Sequence, residues 1–418
     1  MKIVLLSPHF APEFEGGTEL VVRAQALALM RLGHQVRVIS GSDELHGGAE
    51  RVRARVEGLE VLFLPRLESE RYDLTLERPR LMALLEAECA GADLVHAHHW
   101  STLDGGLVQR LSRKRPVVLS LHDLFVTCPR FFRVPHPSVD HCPPQGWELA
   151  SCVRCVLPDA GGTPEAELEL GLEARRRNYQ SELEAAAQVI VPSQAHLEAL
   201  ERFVELPAST SILPHGLCTQ PGSLAPLEIP SRFTQAQPLR VLYLGHRSRV
   251  KGVLDLLEAL AGLPRADLER VHLLMLGSAL EPGFDELLRE RAGQLSMELG
   301  SAYEPSELAQ RVAAMGGAHL AALPSQVSES YGLVTDEAMG LGLPVWVSDL
   351  GAPAERVGAG GKVLPARDPG AWGSALSAWL AAPDLLKEAR RALPISPRNA
   401  DTAAQDLEQI YRRLLSVT

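Results

Sequence analysis

Short apolar runs alternate along this chain with longer stretches whose apolar residues recur three and four positions apart. Residues 3–7 form a run of the first kind and read as a buried strand. Residues 8–17 are a loop carrying Gly16-Gly17, after which Thr18 is placed to cap a helix over 19–32 that Gly33 ends. Gln35-Val36-Arg37-Val38-Ile39 is the next strand. The same alternation returns at Asp93-Leu94-Val95-His96-Ala97-His98-His99 and at Pro116-Val117-Val118-Leu119-Ser120-Leu121-His122-Asp123, two strands whose ends carry polar residues. Residues 165–188 are helical and charged on one face, 189–193 are a strand, and 194–203 the helix after it. Strand and helix in strict alternation imply a parallel sheet with right-handed crossovers.

The pattern then lapses. Residues 219–238 are rich in Pro, Ser and Gln and show no period, which marks a boundary. It resumes at Leu239-Arg240-Val241-Leu242-Tyr243-Leu244-Gly245, with a basic loop, a helix over 253–260, and a further strand at 271–278. Residues 319–323 are another apolar run. Residues 368–415 are helical, and Ala404, Leu407, Ile410, Tyr411 and Leu414 share one face of the last helix.

At 418 residues two domains are the expectation. The 46% hydrophobic and 22% charged residues are a globular balance. A net charge of −11 argues against a nucleic-acid partner, which calls for a basic footprint. No apolar run reaches the ~18 residues of a membrane span. The first residues are too short for a signal peptide, so a cytoplasmic location with reduced thiols is expected.

Candidate chemistry concentrates in Ser325-Gln326-Val327-Ser328-Glu329-Ser330-Tyr331-Gly332-Leu333-Val334-Thr335-Asp336-Glu337-Ala338-Met339-Gly340. The spacing puts Glu329 on a strand-to-helix loop and Glu337 one to two turns into the helix. The N–H groups of Gly332, Leu333 and Val334 lie at the helix N-terminus, where an anion is favoured. That combination suits a sugar at Glu329, a diphosphate at the amides and a ribose diol at Glu337. Arg247, Arg249 and Lys251, on the loop after Gly245, can neutralise a departing diphosphate. Taken alone, two glutamates or a basic loop are ordinary solvated features.

This stretch, continued by Leu343-Pro344-Val345-Trp346-Val347-Ser348-Asp349-Leu350-Gly351-Ala352-Pro353-Ala354-Glu355, resembles the signature of the retaining GT-B glycosyltransferases, glycosyltransferase family 4. The family usually has Gly-Gly where this chain has Gly351-Ala352, and Arg where it has His246. The resemblance implies an α/β fold of two facing Rossmann-like domains with a C-terminal helix crossing back to the first. On that basis 1–218 is an acceptor domain with a Cys-rich insertion at about 124–165, and 219–238 is the linker. Residues 239–398 are then the nucleotide-sugar donor domain, and 399–418 the returning helix. It implies a nucleotide-diphosphate sugar donor, an unidentified sugar acceptor and transfer with retention. It also places His122 near the donor sugar and Gly16-Gly17 over the donor phosphate and the acceptor. A nicotinamide site is a poor reading, since the first turn lacks Gly-x-Gly-x-x-Gly. The chain has no Asp-x-Asp pair, so no cofactor is expected for catalysis.

Other readings stay open. An epimerase of similar architecture would convert donor without acceptor, and a sugar-nucleotide binding protein would hold donor without hydrolysing it. A phosphorylase would need a pyridoxal-binding lysine, and lysines are few. Peripheral membrane contact through the basic cluster at 110–115 is less favoured than a solvated helix end. Cys128, Cys142, Cys152 and Cys155, with His136 and His141 among them, fit a structural zinc, free loop thiols or a disulfide. Phe131 and Phe132 beside them could shape acceptor binding.

Overall fold

The computed structural model describes residues 1–416 apart from 15, 44–50, 66–78, 101–102, 104, 131, 135–141, 143–145, 221 and 394–397. The chain divides into two units, Met1–Cys218 with Arg398–Thr418, and Thr219–Pro397. Among the described residues the first unit has strands β1 (Lys2–Ser7), β2 (Gln35–Ser42), β3 (Val52–Val56), β4 (Leu59–Pro65), β5 (Leu94–Ala97), β6 (Val117–Ser120), β7 (Gln188–Val191) and β8 (Thr210–Ile212). They form one sheet in the order β3-β4-β2-β1-β5-β6-β7-β8, parallel except for β3 against β4. The second unit has β9 (Leu239–Leu244), β10 (Val271–Leu276), β11 (Ser296–Leu299), β12 (Leu320–Leu323), β13 (Val345–Ser348) and β14 (Lys362–Leu364). Its order, β11-β10-β9-β12-β13-β14, is parallel throughout.

The strands are continuously apolar because both faces of each sheet are covered. In β1, Leu6 joins a core with Leu62, Val95, Val117 and Leu119, while its neighbour Leu5 joins the opposite core with Val38, Val61, Leu94 and Val118. The C-terminal helix Ala400–Ser416 seats Ala404, Leu407, Ile410 and Tyr411 in the second of these cores. The Leu217–Asn399 bridge and the Arg398–Asp406 ion pair at 2.6 Å hold its start. The segment between β6 and β7 builds a small core of its own from Val153, Val156, Ala160, Leu168 and Leu172. Among the described residues no helix is long and apolar enough to cross a membrane.

One local expectation changes. The first long helix is Gly17–Arg31, with Gly16 rather than Thr18 at its cap position. The Glu19 carboxylate reaches back to accept the Gly16 N–H at 3.1 Å, as a first-turn acid does in a capping box.

In each sheet the strand order reverses beside the first strand, between β1 and β5 and between β9 and β12. Crevices outside the carboxyl ends of strands at such reversals are where open parallel sheets take their ligands.

Candidate functional site

In the second unit the crevice is built from the loops after β9 and β12. Strands β9 and β10 end in Gly245 (φ 107°) and Gly277 (φ 139°). A Cβ on Gly277 would lie 2.0 Å from the Gly245 carbonyl oxygen, so only glycine lets these strand ends meet. Beyond Gly245, the side chain of Arg247 turns inward. It is 3% exposed, pairs both Asp285 oxygens at 2.7 Å, and donates to the carbonyls of Gly277 (2.5 Å) and Gly300 (2.9 Å). Arg247 therefore ties together three loops at the strand ends, its guanidinium already engaged by Asp285. Asp285 is held below the usual carboxylate range by its hydrogen bonds to Arg247. Arg249 stays at the surface, 3.5 Å from Glu281.

Lys251 points to the β12 loop, its Nζ 2.6 Å from Glu329 Oε1. Gly252 makes this approach available. Its φ is 71°, and an added Cβ would fall 1.7 Å from the Pro324 carbonyl oxygen at the end of β12. His246, at the position where the family has arginine, sets Nδ1 3.0 Å from the Ser278 hydroxyl. Burial, then Lys251, lowers its ring's proton affinity.

The β12 loop is fixed from below. Glu329 pairs with Gly351 in an isolated bridge, and the Ala352 N–H donates to the Glu329 carbonyl at 2.9 Å. Gly351 needs to be glycine: its φ is 72°, and a Cβ would lie 2.4 Å from that carbonyl oxygen. Ala352 has φ −62°, so the chain's departure from Gly-Gly costs no backbone strain. Gly332 (φ 73°) then opens the helix Leu333–Gly340, whose first amides, at Leu333 and Val334, have no acceptor within the helix. Arg356 braces this turn. Its guanidinium meets Asp336 at 2.6 Å, donates to the carbonyls of Tyr331 and Gly332, and lies 3.7 Å over the Tyr331 ring. The Tyr331 hydroxyl donates to the other Asp336 oxygen at 2.7 Å.

Glu337 is buried on the helix, and the Tyr303 hydroxyl donates to its Oε2 at 2.7 Å. Burial raises the Glu337 carboxyl above its ordinary range. Lys251, Glu329, the Gly332 turn and Glu337 thus all lie on elements that converge at the β9/β12 reversal. Tyr303, Asp336 and Arg356 were missed from sequence. Asp336 stood in the quoted stretch and Arg356 directly after its continuation, but nothing local marks Tyr303.

In the first unit the strand ends carry stacked histidines. His98 Nδ1 is 2.9 Å from His122 Nε2, and His122 stacks on His215 with centroids 4.9 Å apart. His96 is held by the Tyr411 hydroxyl at 2.6 Å and Ser120 at 2.8 Å. Burial pushes His96 and His122 down to about 3 and His98 well below normal, so all three rings are neutral at neutral pH. One ring of the His98–His122 pair must then donate and the other accept. Among the described residues the buried His98 Nε2 has no hydrogen-bond partner, an orphan that sequence reading left aside. Next to His122, burial drives Asp123 up to about 7 although the Phe125 N–H bonds it at 2.7 Å. Gly16 and Gly17 start the helix after β1, and the Gly16 amide is already bound by Glu19.

The four clustered cysteines are free thiols. Cys128 Sγ accepts the Arg130 N–H and Cys142 Sγ an Arg133 N–H, each at 3.4 Å. Burial pushes the Cys152 thiol up to about 11 and raises Cys128. Among the described residues no three His, Cys, Asp or Glu side chains are grouped to hold a metal ion. His136, His141 and Phe131 lie outside the described residues.

Comparison with known proteins covers both units. The family Glycosyltransferase Family 4 matches residues 15–220, and Glycosyl transferases group 1 matches residues 228–394. The D-inositol 3-phosphate glycosyltransferase of Gordonia bronchialis is 27% identical, over 93% of this chain and 83% of its own. The phosphatidyl-myo-inositol mannosyltransferase of Mycobacterium leprae is 37% identical over 151 residues, 35% of this chain and 38% of its own. Among solved structures, sucrose-phosphate synthase from Thermosynechococcus elongatus aligns over all of both chains, with TM-score 0.69 and 21% identity. Anabaena HepE in complex with UDP-glucose aligns over 99% of this chain and 100% of its own, with TM-score 0.62 and 17% identity.

Proposed function

Because the chain belongs to the GT-B glycosyltransferases of glycosyltransferase family 4 and group 1, we propose that it transfers a sugar from a nucleotide-diphosphate donor to a hydroxyl acceptor with retention of anomeric configuration. The observation that carries this reading is the Lys251–Glu329 pair at 2.6 Å beside the helix start at Gly332. Lys251 and the Leu333 and Val334 amides supply positive charge where a diphosphate leaves, the largest kind of term available to such a reaction. Arg249, exposed at the loop's edge, adds to that charge from further out. Glu329 accepts hydroxyls of the donor sugar, and Glu337 accepts from the ribose diol. As the glycosidic bond breaks, the departing phosphate oxygen takes the acceptor's proton and the acceptor oxygen bonds the same face of the anomeric carbon. From the first unit we assign His122 as an uncharged hydrogen-bonding group for the sugar, with His98 fixing its tautomer. With no Asp-x-Asp pair in the chain, the cationic loop takes the place of a divalent clamp.

UDP-glucose, the ligand of the HepE complex, is the first donor to try. Inositol phosphate is the first acceptor, from the name of the Gordonia relative. Turnover is expected to persist in excess chelator, and the product to keep the donor's anomeric configuration by NMR. Lys251→Ala is expected to lower turnover by on the order of a hundredfold, as loss of one donor to developing charge does. Glu329→Ala is expected to do similar damage through lost positioning. An inverted product, or activity that chelator abolishes and magnesium restores, sinks the proposal.

A further inference from the structure

The first unit has a second concave feature on the edge of its sheet opposite the histidines. A groove of about 790 Å³ runs past Asp93, Arg115 and Gln188, which sit at or just before the N-terminal ends of β5, β6 and β7. The last turns of the C-terminal helix form its other wall through Ile410, Arg413, Leu414 and Leu415. Two properties set it apart from an ordinary surface dent.

The first is a half-buried guanidinium whose inner N–H groups are unpaired. Nε and Nη1 of Arg115 are both out of solvent and, among the described residues, both without a hydrogen-bond partner. Leaving guanidinium N–H groups unpaired is costly, and a small turn of the side chain toward the groove would let an anion there pair them. The second is the local charge balance. Arg113, Lys114, Arg115 and Arg413 line the groove against the one carboxylate of Asp93, on a chain whose net charge is −11. Lys114 is neutralised by Glu86 at 2.7 Å, and Asp93 is engaged by the Lys2 backbone N–H at 2.7 Å. Arg113 also lies in the field of Glu86, but neither it nor Arg413 makes a close ion pair among the described residues. The remaining surplus matches a dianion, and Ile410, Leu414 and Leu415 offer apolar surface beside it. The volume is that of a site for a small organic molecule, far larger than an inorganic anion needs.

We propose that this groove is a binding site for an organic phosphate monoester, its phosphate at Arg115 and its apolar part against Ile410, Leu414 and Leu415. An arginine's planar fork suits phosphate oxygens, and Arg113 and Arg413 at the rim add charge that steers the anion inward. The site is separate from donor binding, which belongs to the second unit, and it does not rest on the glycosyl-transfer reading. The same helix also carries Tyr411, which holds His96, so a ligand here packs against the element that positions a strand-end histidine.

The test is calorimetric titration of the full-length protein in phosphate-free buffer, with phenyl phosphate and inorganic phosphate as probes. Phenyl phosphate is expected to bind at least tenfold more tightly than inorganic phosphate. Arg115→Gln should weaken it at least tenfold, and Arg413→Gln a few-fold, with the circular dichroism spectrum unchanged. Lys251→Ala should leave it untouched, which separates this groove from the donor site. Should Arg115→Gln fail to fold, Arg413→Gln and the surface variant Leu414→Asp carry the test, each expected to weaken phenyl phosphate. Affinity equal to wild type in these variants overturns the proposal. So does binding lost in Lys251→Ala instead, or retention on phosphatidic acid vesicles with no response to soluble phenyl phosphate.

Discussion

Glu337 and Tyr303 show what a carboxylate needs in order to serve as a ligand inside a fold. Burial raises its proton affinity, and the 2.7 Å bond from Tyr303 opposes that by favouring the charged form. A ribose diol donates two hydroxyls and needs a charged acceptor. Glu337→Ala is therefore expected to weaken UDP-glucose binding by ~1–3 kcal/mol, and Tyr303→Phe by ~1 kcal/mol. The pH dependence has a definite sign. Protonation removes acceptor capacity, so donor affinity should fall on acidification, starting above the ordinary glutamate range, and Glu337→Gln should abolish that dependence. Calorimetry at several pH values decides it, and a pH-independent wild type removes Glu337 from the ribose. At this scale the sequence marked Glu329, Glu337 and Lys251 because they lie in short contiguous motifs. It could not mark Tyr303, 34 positions from its partner, or show that Arg247 is satisfied by Asp285, 38 positions away. Which of several basic residues stays available is settled by distant partners, which spacing does not reveal.

Single elements were more legible, because a strand covered on both faces writes itself as an unbroken apolar run. Strands β1, β5, β6, β9 and β12 were all read that way, and the order of loops and helices between them followed. What escaped was the helix start, where Gly16 rather than Thr18 takes the cap position. The turn after β9 is the element on which the site depends most. An alanine at position 252 meets a backbone oxygen at 1.7 Å in a left-handed conformation, and backbone yields little. Gly252→Ala is expected to destabilise the second unit by more than ~2 kcal/mol and to abolish donor binding. Trp346, Trp372 and Trp379 lie buried in that unit, so urea unfolding followed by tryptophan fluorescence reports the change. An unfolding midpoint equal to that of wild type, with donor still bound, would show that the turn relaxes.

Across the molecule, both sheets are stocked with neutral histidines, and this has a consequence for acid stability. His96 and His122 are pushed down to about 3 and His196 and His319 to about 4, all by burial, against ~6.5 in an unfolded chain. Below that value the unfolded state binds protons that the folded rings refuse. The contribution of these groups is therefore fully present above pH ~6.5 and is lost as pH falls toward 3–4. Each is worth on the order of 1–2 kcal/mol between pH 7 and pH 5. Asp123 works the other way. Its carboxyl, raised to about 7, favours the folded state at low pH and gives up that advantage as pH rises through 7, so it offsets about one histidine. Three of the four histidines, His96, His122 and His196, are in the first unit, as is His98, lowered still further from normal. Acidification should accordingly loosen the first unit before the second. Amide exchange, corrected for its intrinsic pH dependence, is expected to accelerate in β5 and β6 between pH 7 and pH 5 while β9 and β10 change less. Equal acceleration in both sheets would mean that the strand-end histidines are hydrated and charged. In that case His122 could not act on a sugar as the neutral group proposed above.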